Sequence, residues 1–201
     1  MRNIIISQRL DKVGPHKELR NNLDLRFVKM IQELGFFPII FPNNLKNALK
    51  SIKRFNPKAI ILSAGGDPLK RDSRYQTEKK LISYSIKKKI PIIGFCRGAQ
   101  FINIYFCGKI SKVRNHVRTK NKISGIITEN KDVYVNSYHD YGIKTKDLGK
   151  NLKIMAIAND NSIECFVHKT KKVMGIMWHP ERYRALRKFE KKIIKNFIKW
   201  N

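Results

Sequence analysis

The residues best suited to chemistry surround Cys96, in the segment 92–101, which reads IIGFCRGAQF. An apolar run ends at this cysteine, and Gly94 and Gly98 flank it. If a buried strand ends here and a helix begins, the thiol lies on a tight strand-to-helix turn, the geometry of a nucleophile elbow. Glycines permit the close backbone approach and the strained central residue that such a turn requires. The pattern favours a catalytic thiol over the alternative, a small buried cysteine before a helix.

A cysteine nucleophile needs a base, and the base needs a group that orients it. The segment 175–183, GIMWHPERY, supplies a candidate pair, because an apolar strand ends at His179 and Glu181 follows after one proline. His179 would accept the thiol proton and return it to the leaving amine, while Glu181 would hold the imidazole tautomer. A histidine at a strand end is more often structural, so the prediction depends on the cysteine turn as well.

The remaining histidines are weaker candidates for the base. His16 and His116 lie in polar or basic segments and are interpreted as surface or substrate-contact residues, and His168 as a hairpin tip. His139 differs, because its neighbours are polar groups able to hold a substrate. These neighbours are Asn136, Ser137 and Tyr138.

A third feature is the segment 59–68, AIILSAGGDP, in which an apolar strand ends before Gly65 and Gly66. Two glycines after a strand often only form a turn. At the carboxyl end of a parallel strand, where open α/β sheets build their sites, exposed N–H groups can instead stabilise an oxyanion. We therefore expect the amide of Gly65 or Gly66 to act together with the amide of Arg97.

Metal and cofactor motifs are missing from the sequence. It contains no C-x-x-C or H-E-x-x-H spacing, and no Gly-rich nucleotide loop of either common type. The three cysteines are too few and too scattered for a disulfide framework. We expect chemistry that uses neither a metal nor a cofactor.

These residues require a scaffold, and the hydrophobic pattern indicates an α/β sheet. Strand-like segments at 3–7, 37–41, 59–63 and 90–95 alternate with amphipathic helical segments at 23–35, 45–55 and 75–89. In the first helix Leu23, Phe27, Met30, Ile31 and Leu34 share one face, and Gly35 follows as a stop. The alternation predicts a doubly wound, mostly parallel sheet with helices on both faces.

After Cys107 the pattern changes to closely spaced strands, which predict an added antiparallel region. The candidates are segments 122–128, 132–137, 152–158, 162–168 and 172–178. A final amphipathic helix is expected from about Ala185 to Trp200, with six apolar side chains turned inward. They are Leu186, Phe189, Ile193, Ile194, Phe197 and Ile198.

Chain length and net charge bear on the number of domains, the location of the protein and its partners. A chain of 201 residues fits a single domain over 1–201, and the absence of a signal-like or membrane-length apolar segment predicts a cytoplasmic protein. The formal net charge of +28 raises the alternative of a basic nucleic-acid-binding or scaffold domain. The lysines are scattered, however, so we expect no nucleic-acid or membrane partner, and the charge could steer a small anionic substrate. The oligomeric state stays open, with a homodimer as one alternative.

Three segments, LSAGGDP, GFCRGAQ and WHPE, follow one another in the order typical of the class I glutamine amidotransferase superfamily, which the chain resembles. The resemblance implies a flavodoxin-like fold and a triad of Cys96, His179 and Glu181. It further implies an oxyanion hole formed by the Gly65/Gly66 loop and the Arg97 amide, with Gln100 holding the glutamyl group.

Within that superfamily the sequence is most similar to the γ-glutamyl hydrolase branch. Arg97 directly follows the nucleophile, KRDSRYQTE resembles an R-D-x-x-E region, and VNSYHDYG resembles an N-S-x-H segment. By this resemblance Asn136, Ser137 and His139 are substrate contacts, and Glu164 matches a position of the branch. Asp140 and Tyr141 stand where this branch usually continues with histidine and glutamine, so the resemblance does not assign the leaving-group side.

The resemblance implies hydrolysis of a small γ-glutamyl substrate through a glutamyl thioester, with release of glutamate. The overall likeness extends to hydrolases whose leaving group is a nucleotide amidate used in capsule synthesis, an anionic conjugate that basic residues could meet. The candidates for that contact are Lys70, Arg71, Arg74 and Arg114. The alternatives are hydrolysis of γ-glutamyl-γ-aminobutyrate, or a glutaminase subunit that passes ammonia to a synthetase.

Overall fold

The computed structural model of the protein describes residues 2–43 and 48–199. Five α-helices lie along these residues: α1 (Leu25–Glu33), α2 (Ala48–Phe55), α3 (Ser73–Lys88), α4 (Arg97–Tyr105) and α5 (Lys188–Lys199). The strands of the first half are β1 (Asn3–Ser7), β2 (Arg9–Val13), β3 (Glu18–Asn22), β4 (Phe37–Phe41), β5 (Ala59–Leu62) and β6 (Ile92–Phe95). The second half adds β7 (Ser111–Lys112), β8 (Val117–Ser124), β9 (Val133–Tyr138), β10 (Tyr141–Gly142), β11 (Leu152–Ala158), β12 (Ile163–His168) and β13 (Val173–Ile176).

Nine strands form one sheet in the order β4-β1-β5-β6-β13-β12-β11-β8-β9. The pairs from β4 to β13 are parallel, and the pairs from β13 to β9 are antiparallel. The predicted fold class is therefore confirmed: a parallel α/β sheet carries an antiparallel extension.

Side-chain alternation along β1 explains why helices cover both faces of the sheet. Ile4 and Ile6 pack in the cluster that holds the apolar stripes of α1 and α5. Ile5, which points to the opposite face, packs in the cluster that contains side chains of α2, α3 and α4. All three isoleucines are fully buried, as expected for a central strand of a doubly wound sheet.

The structure differs from the sequence-based expectation near both ends of the antiparallel region. The predicted strand 122–128 is wrong in its bounds, since β8 starts at Val117 and ends at Ser124, and Ile126–Thr128 form a short 3-10 turn. Gly125 separates the two with φ 143°, and a Cβ there would lie 2.6 Å from the Met155 carbonyl oxygen. The last helix begins at Lys188, three residues later than predicted.

An early hairpin was not predicted. β2 and β3 pair in antiparallel fashion from Arg9 opposite Asn22 to Val13 opposite Glu18. Both strands are mostly polar and half-exposed or exposed, so they lack the apolar alternation that marks a strand in sequence. Residues 44–47, where the second helix was predicted to begin, and Trp200 lie outside the described residues.

The parallel half positions the functional residues. β1, β5, β6 and β13 run in the same direction, so their carboxyl ends meet along one edge. Ser7 is the last residue of β1, while Ser63, Cys96 and the segment that leads to His179 follow the ends of β5, β6 and β13. Open α/β sheets bind ligands at this edge.

Candidate active site

Cys96 lies between the end of β6 and the start of α4, on the predicted turn. Its backbone has φ 47° and ψ −104°, a conformation that L-residues with side chains adopt only under strain. A Cβ on Gly94 would lie 2.4 Å from the carbonyl oxygen of Gly98, and one on Gly98 would lie 2.3 Å from the Leu62 oxygen. Both glycines are therefore required for the backbone to pass so closely, and the turn has the geometry of a nucleophile elbow.

The Gly65/Gly66 loop faces the same cavity as Cys96. Both glycines have positive φ, 80° and 85°, a backbone conformation that is unfavourable for residues with a Cβ atom. The first N–H groups of α4, beginning at Arg97, have no partner within that helix. The two predicted sources of oxyanion donors, the loop and the helix start, thus border one cavity.

Arg74 fixes the backbone of that loop through hydrogen bonds. Its guanidinium donates to the carbonyl oxygen of Gly65 at 2.5 Å and to that of Ser63 at 2.7 Å. The side chain is buried, and burial lowers the pKa of Arg74 to about 10. Arg74 was predicted to contact substrate; the structure places its guanidinium behind the loop, where it positions the loop backbone.

Glu78, which sequence reasoning did not single out, connects these elements. Its fully buried carboxylate accepts hydrogen bonds from Ser7 at 2.8 Å, from Arg74 at 2.9 Å, and from the guanidinium of Arg97. Burial holds the pKa of Arg97 well below its usual range. Glu78 is the final residue of the segment KRDSRYQTE, which the resemblance to the hydrolase branch had already marked. The sequence does not show, however, that the Glu78 carboxylate is buried against two arginines.

His179 and Glu181 form the predicted pair. Nδ1 of His179 lies 2.7 Å from Oε1 of Glu181, and both side chains are buried. Burial lowers the pKa of His179, but interactions with Cys96 and with Glu181 outweigh it and raise that pKa to about 9. The charged imidazolium of His179 is therefore favoured in its position between the Glu181 carboxylate and Cys96.

The segment 136–139 surrounds this pair. Asn136 donates to the His179 carbonyl oxygen and accepts from the His179 N–H, both at 2.8 Å, so it positions the histidine backbone. The Tyr138 ring packs edge to face against the His179 imidazole, with ring centres 5.4 Å apart. Ser137 is fully buried and donates to the carbonyl oxygen of His116 at 2.8 Å. Of the predicted contacts here, Tyr138 and His139 line the Cys96 cavity.

Two cavities meet at Cys96. The larger, about 470 Å³, is lined by the glycine loop, Gln100, His139 and Tyr141 among others. Gln100 donates to the Tyr141 carbonyl oxygen at 2.6 Å, which fixes its amide at the wall. The smaller cavity, about 100 Å³, lies on the side of His179 and is bordered by Arg9 and Arg182.

The other basic candidates lie away from these cavities. Arg71 is exposed just before α3, and Arg114 borders a separate cavity of about 280 Å³. Arg9 and Arg182 were missed by sequence reasoning. Arg9 comes from the unpredicted hairpin, and Arg182 stacks on Tyr138 with its guanidinium carbon 4.2 Å from the ring centre.

One further group of side chains could hold a metal ion. His116, His139 and Glu164 are buried, and their ligand atoms lie within 4.8 Å of one another. At Cys96 the described residues bring together a thiol, an imidazole, a carboxylate and backbone N–H groups, a set that could support acyl transfer. Among those same residues, no helix is long and apolar enough to cross a membrane.

Comparison with known proteins gives consistent results. Residues 22–200 match the family model described as glutamine amidotransferase class-I. The chain is 38% identical to the γ-glutamyl-CDP-amidate hydrolase of Campylobacter jejuni over 64% of each chain. It is 31% identical to anthranilate synthase component 2 of Saccharolobus solfataricus, over 85% of this chain and 89% of that one. The Campylobacter alignment thus spans less than two thirds of that relative.

Solved structures share the fold. A Thermoplasma acidophilum protein assigned as a component of GMP synthase matches with a TM-score of 0.72 at 24% identity, over 99% of this chain and 93% of that one. A glutamine amidotransferase of Thermotoga maritima matches with a TM-score of 0.67 at 15% identity, over 98% and 84%.

Proposed function

The chain belongs to the class I glutamine amidotransferase family, and we propose that it is a cysteine-dependent hydrolase of γ-glutamyl amides. The observation that carries the proposal is the arrangement of Cys96 on a strained turn beside the His179–Glu181 pair, whose Nδ1 and Oε1 atoms are 2.7 Å apart. This is a nucleophile, its base and the group that orients the base.

In the proposed reaction the Cys96 thiolate attacks the γ-carbonyl carbon of the substrate. The carbonyl oxygen gains negative charge, and the amides of the glycine loop and of Arg97 stabilise it. The carbon–nitrogen bond then breaks, and His179 gives its proton to the departing nitrogen. A glutamyl thioester on Cys96 remains.

Water resolves the thioester in the second half of the reaction. His179, now neutral, takes a proton from water, and the hydroxide adds to the thioester carbonyl. The carbon–sulfur bond breaks, glutamate leaves and the thiolate–imidazolium pair returns. The net reaction consumes one water and releases glutamate and a free amine or amidate. Gln100, at the wall of the larger cavity, would contact the glutamyl group.

For the leaving group we propose an anionic nucleotide amidate, giving the overall activity of a γ-glutamyl-CDP-amidate hydrolase. Two observations support this. The Campylobacter jejuni relative carries that name, and Arg9 and Arg182 border the small cavity beside His179, where the departing nitrogen must lie. The guanidinium groups of two arginines could donate hydrogen bonds to the oxygens of a pyrophosphate.

A turnover screen tests the proposal directly. Purified protein is given γ-glutamyl-CDP-amidate, γ-glutamyl-γ-aminobutyrate and glutamine, and glutamate release is measured. We expect the nucleotide conjugate to give the highest kcat/KM. Cys96→Ala should abolish turnover and the glutamyl-enzyme mass adduct; wild-type turnover in that variant would refute the thioester mechanism.

The arginines provide a sharper test of the leaving group. Arg9→Ala should lower the ratio of kcat/KM between the nucleotide conjugate and γ-glutamyl-γ-aminobutyrate by about tenfold, the worth of one charge-assisted hydrogen bond of about 1.5 kcal/mol. Arg71→Ala is the matched control, since Arg71 is exposed and lines neither cavity. An unchanged ratio in Arg9→Ala would remove the pyrophosphate contact from the proposal.

A second candidate function is a glutaminase subunit. The similarity to anthranilate synthase component 2 over 89% of that relative favours it. Such a subunit would hydrolyse glutamine and pass ammonia to a synthetase partner. Turnover of free glutamine that rises only when a synthetase partner is added would support this function over that of a nucleotide-amidate hydrolase.

A further inference from the structure

Three buried side chains outside the triad lie together at the antiparallel end of the sheet. His116 directly precedes β8, His139 directly follows β9, and Glu164 is on β12. Strand β8 pairs with both β9 and β11, and β11 pairs with β12, so the sheet brings these positions together. The three residues are 3%, 5% and 0% exposed.

The distances in this cluster are too long for hydrogen bonds. Oε1 of Glu164 lies 3.5 Å from Nδ1 of His116 and 3.5 Å from Nε2 of His139. Protein N–H···O bonds are about 2.7–3.2 Å long. Two ligands that bind one zinc ion at about 2.0–2.1 Å in tetrahedral geometry are about 3.3–3.4 Å apart. The two separations that involve Glu164 therefore fit a shared metal ion better than direct bonding, and the three ligand atoms all lie within 4.8 Å of one another.

The polar side-chain atoms of His139 and Glu164 also lack other partners. Both ring nitrogens of His139 and both carboxylate oxygens of Glu164 are buried, and among the described residues they make no hydrogen bond. Buried polar groups are rarely left in this state, because each unsatisfied group costs about 1–3 kcal/mol. A cation between them would satisfy the carboxylate and one imidazole nitrogen together.

His116 has the outer hydrogen bond that metal-bound histidines usually have. Its Nε2 lies 3.0 Å from Oδ2 of Asp160, and Asp160 accepts from the Ser162 hydroxyl at 2.6 Å and backbone N–H at 3.0 Å. Donation from Nε2–H to this carboxylate leaves Nδ1, which lies 3.5 Å from Oε1 of Glu164, with a free lone pair. The carboxylate thereby fixes the tautomer that ligation requires.

Two polar groups compete for the same His116 nitrogen. The Asn121 amide nitrogen lies 2.7 Å from Nδ1, and the Ser137 hydroxyl lies 3.2 Å from it. An amide nitrogen at that distance donates its proton, so Nδ1 presents a lone pair to it. A bound metal would take over that lone pair and replace the Asn121 contact.

We propose that His116, His139 and Glu164 form a binding site for one divalent transition-metal ion, with Zn²⁺ as the best match. Two imidazoles and one carboxylate are a zinc donor set that leaves a fourth position for water. No sequence motif indicates the site, because the three ligands are far apart along the chain. His139 also lines the Cys96 cavity, so an ion bound here would fix its ring at the substrate wall.

Metal titration of untagged Cys96→Ala protein tests this site. The background removes the catalytic thiol as a ligand and makes the result independent of the proposed hydrolase activity. We expect one equivalent of Zn²⁺ to remain after gel filtration. Co²⁺ should give visible absorption of a nitrogen and oxygen site, without the intense ultraviolet band of a cobalt–thiolate bond.

Substitutions locate the ion. Glu164→Gln should reduce retained Zn²⁺ to background, whereas Glu190→Gln, the same change at another buried glutamate, should retain one equivalent. Asp160→Asn should weaken Zn²⁺ binding by about 10–100-fold, the usual cost of losing an outer carboxylate. Because the Asp160 side chain is 43% exposed, that variant decides the question if Glu164→Gln fails to fold.

Three results would overturn the proposal. They are less than stoichiometric Zn²⁺ in the Cys96→Ala protein, equal affinity in the Asp160→Asn variant, and a thiolate band in the cobalt spectrum. The last would place the ion at Cys107 or Cys165.

Discussion

Substituting Gly98 by alanine should displace the nucleophile without removing any functional group. The new Cβ would lie 2.3 Å from the Leu62 carbonyl oxygen and 2.9 Å from the Leu62 carbonyl carbon. Ordinary contact begins at 3.4 Å, so the start of α4 must move by about 1 Å relative to β5. The oxygen belongs to backbone inside the sheet and cannot move away.

That displacement moves Cys96 and the Arg97 amide away from the glycine loop. A misplacement of about 1 Å can cost about 100-fold in rate, or about 2.7 kcal/mol of barrier. We expect kcat/KM for the best γ-glutamyl substrate to fall by about that factor. Overpacking of this kind also costs about 1–3 kcal/mol of stability, so the variant should remain folded at assay temperature.

Steady-state kinetics and thermal unfolding are measured together on Gly98→Ala and on Gly35→Ala. At Gly35 no atom lies within 4 Å of the added Cβ, so this control carries only the cost of a positive φ angle. The control should keep wild-type kcat/KM. A folded Gly98→Ala enzyme within threefold of wild type would show that close approach of α4 to β5 does not position the nucleophile.

Three further predictions concern the groups around the thiol. Glu181→Gln removes one of the two groups, Cys96 and Glu181, that together raise the pKa of His179 to about 9 against the effect of burial; the alkaline limb of the kcat/KM profile, set by loss of the imidazolium proton, should move to lower pH, and an unmoved limb would contradict the pairing. Glu78→Gln leaves two buried guanidiniums without their carboxylate and should destabilise the fold by about 3–5 kcal/mol in denaturant unfolding, whereas a change under 1 kcal/mol would show that these charges are otherwise compensated. Asn136→Ala removes both side-chain bonds to the His179 backbone and should lower kcat about tenfold with little change in KM; a pure KM effect would instead indicate substrate contact.

The parallel half of the fold could be predicted because its strands are continuous apolar runs. Residues 59–63 are buried and nearly match β5. Residues 37–41 match β4, an edge strand on which Phe37 and Ile40 are exposed. The β2–β3 hairpin could not be predicted, since its strands are polar and partly exposed. Its pairing is set by turn geometry, including Gly14 and Lys17 at positive φ, rather than by burial.

The proposed triad could be predicted from sequence because its chemistry requires particular residues at a strand end. Cys96, His179 and Glu181 lie within short segments whose local geometry carries the signal. The supporting contacts depend instead on long-range packing. Glu78 and Asn136 act on residues distant in sequence, and only the folded sheet shows that they brace Arg97 and His179.

Arg97 shows how one residue can link the sequence motif to the scaffold. Its amide begins α4 beside the nucleophile, while its guanidinium is bound to Glu78 on α3. The same carboxylate accepts from Arg74, which holds the loop at Gly65. One buried ion network therefore connects the two proposed sources of oxyanion donors, so a shift of either should be transmitted to the other. Preorganised donors contribute most to catalysis when they need no rearrangement, and this network supplies that rigidity.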